Sequence, residues 1–167
     1  FTTVNGEEVL YIGGQIGNTR LLKFDGKELY PILKSEIPSA VTALVPAENG
    51  NIWIATQGKG LMSYAPDGTL TTFNTSNSNI PANPVYDIKT DHRGDYWLAC
   101  DRSLVKFDGK DFIAYQTGLI ESMGDMNYMT YVLPEEDGTV WVGTKKQGLF
   151  KFANGEFTPI DIAPAPL

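Results

Sequence analysis

Trp53, Trp97 and Trp141 stand 44 residues apart (97 − 53 and 141 − 97), and Gly50, Gly94 and Gly138 precede them by three residues each time. Spacing held that strictly marks one supersecondary unit copied in tandem. Tyr11 takes the tryptophan place in a first copy, 53 − 11 = 42 residues earlier. The surrounding text repeats as well: LYIGG at 10–14, IWIAT at 52–56, YWLAC at 96–100 and VWVGT at 140–144. The chain of 167 residues therefore reads as four copies of one unit.

Each copy carries further short elements. A second follows the anchor: LLKFDG at 21–26, LMSYAPDG at 61–68, LVKFDG at 104–109 and LFKFANG at 149–155. These alternate apolar and polar residues and end in Asp-Gly or Asn-Gly, which favour positive φ and hence tight hairpins. A third element follows each turn (KELYPI, TLTTF, DFIAY, EFTPI), and a fourth precedes each tryptophan motif (VTALVP, VYDIKT, MTYVLP), with FTTV as its shortened form at the front. No stretch keeps the three-and-four apolar spacing of a helix.

The expected fold class is thus all-β: β-propeller blades, four four-stranded antiparallel repeats of about 44 residues. Approximate blades are 1–34, 35–80, 81–120 and 121–167 of a single propeller or partial-propeller domain. A meander sheet buries both faces only when neighbours stack on it, so the rings at the anchor positions should fill the space between blades. Each buried ring removes ~150–250 Å² from water. All three tryptophans are expected on the second strand of their blade, with over about 90% of their surface buried. Met129 is expected in the core. The competing architecture is a β-sandwich of duplicated hairpins, which rarely holds so strict a period.

Composition narrows the function classes. The formal charge is −7 with no Lys/Arg cluster, so nucleic acid is an unfavourable partner. No run of 18 apolar residues occurs, so no membrane span is expected in this chain. Cys100 is the single cysteine, which excludes an intrachain disulfide and leaves the redox compartment open. Residue 1 is Phe rather than Met, so an upstream segment is expected to be missing; the absence of a visible signal peptide says nothing about secretion.

The motif G-x-x-W-[ILV]-[GA]-T-x-x-x-G-L-x-x-[FY], followed by Asp-Gly and an aromatic, resembles the two-component regulator propeller repeat. Its clearest copies are Gly138 to Thr144 with Gly148-Leu149, and Gly50 to Thr56 with Gly60-Leu61. Copy three departs from it, with Cys100 in place of Thr and Ser103 where Gly is usual, and copy one has Tyr11 instead of Trp. The resemblance implies the sensor propeller of Bacteroidetes hybrid two-component regulators: a periplasmic or extracellular input module, noncatalytic, responding to a glycan or other polar small molecule. Composition and spacing show no glycan. Rings in the family have more blades than these four. A closed four-bladed ring, a half-ring pairing with a second chain, and a fragment of a longer array all stay open. Self-association through the terminal blades is expected if the ring does not close.

A search for chemistry finds little. The one histidine, His92, sits in the turn DHRGD, where a decorated turn is a better reading than a general base or a zinc ligand. There is no G-x-S-x-G or H-E-x-x-H motif, and the acidic turn at 135–138 does not match an EF-hand loop. Asn74-Thr75-Ser76 fits a glycosylation sequon, relevant only in a eukaryotic secretory pathway. Arg93-Gly94-Asp95 falls in a turn the repeat already demands. No catalytic residue, metal or cofactor is assigned. Binding is favoured, because repeat scaffolds gather loops on one face. Gln15, Gln57, Asp101 and Lys145 fall four residues after their anchors and open equivalent loops that also carry Lys59, Arg102, Lys146 and Gln147. This mixture of amides and charges suits polar ligands such as sugars, and ordinary solvated loop residues are the plainer account of each one. Met123 and Met126, in the longer segment before copy four, are candidate partner contacts. A fragment of a propeller hydrolase or lyase, and a purely structural module, are the competing functions.

Overall fold

The structure is a computed structural model and describes residues 2–4, 7–16, 19–33, 35–118 and 128–161. Every regular element among them is a strand. The first sheet comprises β1 (Thr2–Val4), β2 (Glu7–Ile16), β3 (Thr19–Phe24) and β4 (Leu29–Ile32). The second comprises β5 (Val41–Pro46), β6 (Ile52–Thr56), β7 (Leu61–Tyr64) and β8 (Leu70–Phe73). The third comprises β9 (Asp87–Thr90), β10 (Tyr96–Cys100), β11 (Ser103–Phe107) and β12 (Phe112–Gln116). The fourth comprises β13 (Met129–Pro134), β14 (Val140–Thr144), β15 (Leu149–Ala153) and β16 (Glu156–Ile160). Each is an antiparallel meander in chain order, which is the blade of a propeller.

Register explains how the anchors work. Trp53 pairs with Val45 and Ser63, Trp97 with Lys89 and Lys106, and Trp141 with Leu133 and Lys151, so all three occupy one place on one face, here called the front. The back face carries the alternate rows, such as Tyr96 opposite Phe107 and Leu98 opposite Val105. The front of each sheet packs on the back of the next. Trp53, Ala55 and Leu61 of the second sheet bury against Leu98, Val105 and Phe107 of the third. Trp97, Ala99 and Leu104 of the third bury against Val142, Phe150 and Phe152 of the fourth. Leu21 and Tyr11 of the first pack on Ile52, Ile54 and Met62 of the second. Edge-to-face ring pairs fasten these interfaces, among them Trp53 on Phe107 with centroids 5.0 Å apart and planes at 85°. Met129 is fully buried, as expected.

The equal burial expected of the tryptophans does not hold. Trp53 and Trp97 are each 7% exposed, whereas Trp141 is only half-buried. The cause is position: among the described residues no sheet packs on the front of the fourth, where Tyr131 and Leu133 are 46% and 40% exposed.

Candidate functional site

The turns between the second and third strands of the second, third and fourth sheets lie at one end of the molecule, with the segments leading into β9 and β13. The turn after β6 is tied to the segment before β9, where Gly60 N donates to Asn83 O (2.8 Å) and Val85 N to Thr56 O (2.9 Å). The turn after β10 is tied to the start of β13 by Met129 N donating to Asp101 O (2.8 Å), and the turn after β14 by Lys145 N donating to Tyr128 O (3.0 Å).

Two of these turns are built alike. Thr56 Oγ1 accepts from Lys59 N (3.0 Å) and donates to Gly60 O (2.8 Å). Thr144 Oγ1 accepts from Gln147 N (3.0 Å) and donates to Gly148 O (3.0 Å). Gly60 has φ +82°, and a Cβ there would collide with the carbonyl oxygen of Phe73, so only glycine fits. Copy three is one residue shorter: Cys100 pairs directly with Ser103, and Asp101 takes φ 51°. The departures Cys100 and Ser103 are therefore one coordinated change to a tighter turn. Cys100 Sγ donates to Ala82 O (3.1 Å), and burial pushes its thiol up to about 12, so it is no nucleophile at neutral pH.

The tight turn brings Asp101 toward a tyrosine pair that joins two sheets. Tyr86, beside β9, stacks on Tyr128, beside β13, with centroids 4.1 Å apart and planes 13° from parallel. Lys145 Nζ donates to Tyr128 Oη (3.1 Å) and lies 5.0 Å from that ring's centroid. Burial, followed by Tyr128 and the Asp101 carboxylate, raises the Tyr86 phenol above its ordinary value, so it stays a neutral hydrogen-bond donor. Both tyrosines are half-buried and keep surface toward solvent. The arrangement sets two stacked, half-exposed phenols beside a carboxylate and an ammonium.

The structure thus gathers Asp101 and Lys145, with Arg102 and Lys146 exposed on the same two turns. Gln57 and Lys59 are exposed on the neighbouring turn of the second sheet, and Gln147 on the turn of the fourth. The side chain of Gln15 lies outside the described residues, as do Met123 and Met126. Tyr86 and Tyr128 escaped the sequence reading, Tyr86 because VYDIKT was read only as a strand and Tyr128 because it falls in the segment before copy four.

At the opposite end, His92 lines a cleft of about 120 Å³ between the β9–β10 and β13–β14 turns. Two of its charged groups, Asp91 and Lys106, are already engaged. Asp91 accepts from Arg93 N, Asp95 N and Trp97 Nε1, and Lys106 pairs with Asp95 at 2.7 Å. His92 is exposed, with Nε2 3.3 Å from Arg93 Nε, and no group of metal-ligating side chains occurs among the described residues.

Residues 35–58, covering the entry to the second sheet through Trp53, match the profile of the two component regulator propeller. The chain thus holds one segment similar to that repeat. Its fold is shared with the extracellular domain assigned to the hybrid two component system BT3049 of B. thetaiotaomicron, at TM-score 0.72 and 18% identity over 96% of this chain. A second such extracellular domain from that organism, BT4673, aligns with 95% of this chain at TM-score 0.58 and 16% identity. A catalytically inactive virginiamycin B lyase from Staphylococcus aureus, with quinupristin, aligns with 99% at TM-score 0.63 and 16% identity. The chain spans 22% of the BT3049 structure, 27% of the BT4673 structure and 59% of the lyase. No curated protein sequence matches the chain.

Proposed function

We propose that this chain is a noncatalytic ligand-binding module, part of the extracytoplasmic input of a two-component regulator, and that it recognises a glycan or a similar polar small molecule. The observation that carries the reading is the Tyr86–Tyr128 stack between two sheets, with Asp101 and Lys145 beside it. Aromatic faces take the apolar side of a sugar ring, and flanking charged groups take its hydroxyls. The repeat, and the fold shared with extracellular domains of two-component systems, support the extracytoplasmic setting.

The shared fold of the virginiamycin B lyase supports a second reading, as a lyase. Fold alone carries no chemistry. The one imidazole is exposed at the end away from the tyrosines, and the one thiol is buried with its pKa raised. Titration calorimetry against an oligosaccharide panel, beside incubation with quinupristin, separates the two. Saturable binding without turnover is expected, and Tyr86→Ala or Tyr128→Ala should weaken it roughly tenfold each, about 1.4 kcal/mol. Binding indifferent to both substitutions, or steady conversion of quinupristin to a new product, would overturn the proposal.

A further inference from the structure

Charge in this molecule is sorted by end. β14 shows it most plainly: the turn that enters it carries Glu135, Glu136 and Asp137, all exposed, and the turn that leaves it carries Lys145 and Lys146, also exposed. The other two sheets keep the same sense. Glu48 stands before β6 and Lys59 after it, while Asp91 and Asp95 stand before β10 and Arg102 after it. On the three turns at the tyrosine end, Asp101 is the one carboxylate against Lys59, Arg102, Lys145 and Lys146. Segment 74–86, which runs along that end into β9, carries no charged residue. The other described acids of this end are Glu36, on the segment before β5, where its carboxylate accepts from Ser35 N and Oγ, and Asp161, past the outermost strand β16.

Distance decides whether the far acids of a chain with formal charge −7 cancel these cations. The five residues of β14 span roughly 17 Å, and exposed charges are screened beyond about 8 Å at physiological ionic strength. Lys145 and Lys146 therefore act on a ligand at their own end largely free of Glu135, Glu136 and Asp137.

The tyrosine stack stands among these cations. Lys145 Nζ gives one of its three protons to Tyr128 Oη at 3.1 Å, which holds the ammonium beside the ring and leaves two donors to spare. Arg102 is exposed, and no ion pair engages its guanidinium among the described residues. The Asp101 charge bears on the Tyr86 phenol, and no ion pair joins that carboxylate to Lys145 or Arg102. A neutral hydroxyl gains little from such cations over water. An anionic group gains charge-assisted hydrogen bonds, and the planar guanidinium fork matches a carboxylate or sulfate.

Resting on the reading of the tyrosine stack as a saccharide platform, we propose that the ligand is an acidic saccharide, a sugar whose ring carries a carboxylate or a sulfate ester. The tyrosines take the ring face, Lys145 and Arg102 take the anionic group, and Asp101 accepts from a hydroxyl.

The test is titration calorimetry with matched pairs: oligogalacturonate beside its methyl ester, and a sulfated galactan fragment beside its desulfated form. In at least one pair the acidic member should bind about tenfold tighter at low salt. That advantage should vanish near 1 M salt, where the screening length shrinks to about 3 Å. The pair that shows it tells carboxylate from sulfate. Arg102→Gln changes an exposed turn residue, so it should cut the preference at least about threefold and leave the neutral member's affinity as it was. Equal affinities within both pairs overturn the proposal and leave the saccharide reading standing, as does silence from all four probes while a neutral oligosaccharide binds. No saccharide binding of any kind overturns both. A preference that survives 1 M salt or Arg102→Gln also overturns the proposal, because other groups would then meet the anion.

Discussion

Trp97 donates its indole N–H to Asp91 Oδ2 at 3.0 Å, while Trp53, one repeat earlier, has Ala47 at the position of Asp91 and a buried Nε1 without a partner. An unpaired buried donor costs about 1–3 kcal/mol, so the second copy accepts a penalty that ring packing offsets. Asp91 itself is held below the ordinary carboxylate range. Burial works to raise it, and hydrogen bonds from Arg93 N, Trp97 Nε1 and Asp95 N, with the charge of Lys106, outweigh that. A depressed pKa contributes stability that is present above the unfolded value near 4 and lost as pH falls through the folded one. Urea melts from neutral pH down through that window should show the parent chain losing stability more steeply than Asp91→Asn. Parallel curves would mean that Asp91 does not titrate with folding. The anchors should also differ. Trp97→Ala is expected to cost ~3–5 kcal/mol, Trp141→Ala clearly less because its ring is half-solvated, and His92→Ala under about 1 kcal/mol. Equal losses at Trp97 and Trp141, measured by the same melts, would show that Trp141 is covered.

Hairpins between the second and third strands come in two designs, and the difference predicts which tolerates change. In the β6–β7 turn the Thr56 hydroxyl is buried and serves two backbone groups, so Thr56→Val removes the acceptor of the Lys59 N–H and leaves the Gly60 carbonyl with the Thr56 N–H alone. A loss of about 1–2 kcal/mol in denaturant unfolding is expected. Cys100→Thr has no equivalent gain to offer, because the turn after β10 lacks the residue that the hydroxyl would cap. A stabilising Cys100→Thr would show that turn length does not decide the matter. This contrast also marks what was legible beforehand. Strands, turns and meander order follow from chemistry local to each copy: Asp25 Oδ1 accepts from Lys27 N and Glu28 N, and Asp108 Oδ1 from Lys110 N and Asp111 N, which is what Asp-Gly turns do. The tyrosine pair follows no such rule. One repeat away from Tyr86 stand Thr42 and Thr130, and the positions equivalent to Tyr128 hold Ala40 and Pro84. A contact made once, between two copies, leaves no periodic trace.

Four sheets packed face to back in series behave as a short one-dimensional array, in which each sheet's stability is its own plus that of its neighbours' interfaces. Among the described residues, the second and third sheets have both faces covered, whereas the first and fourth have one. A buried carboxylate adds to the bond between the third and fourth: Asp87, 5% exposed, accepts from Val132 N (3.1 Å) on β13 while Lys89 Nζ pairs with it at 2.7 Å. Between the second and third, Thr42 Oγ1 donates to Val85 O at 2.6 Å. Local opening should therefore begin at the first sheet, whose described interface is apolar contact from Leu21 and Tyr11. Amide hydrogen exchange on dilute protein is expected to be slowest in β6 and β10, intermediate in β14 and fastest in β2 and β3. The outermost strands β4, β8, β12 and β16, each paired on one side only, should exchange ahead of the inner strands of their own sheets. Uniform protection across all four sheets in dilute solution would mean that the array opens only as a whole, and the additive picture of face-to-back interfaces would have to be abandoned.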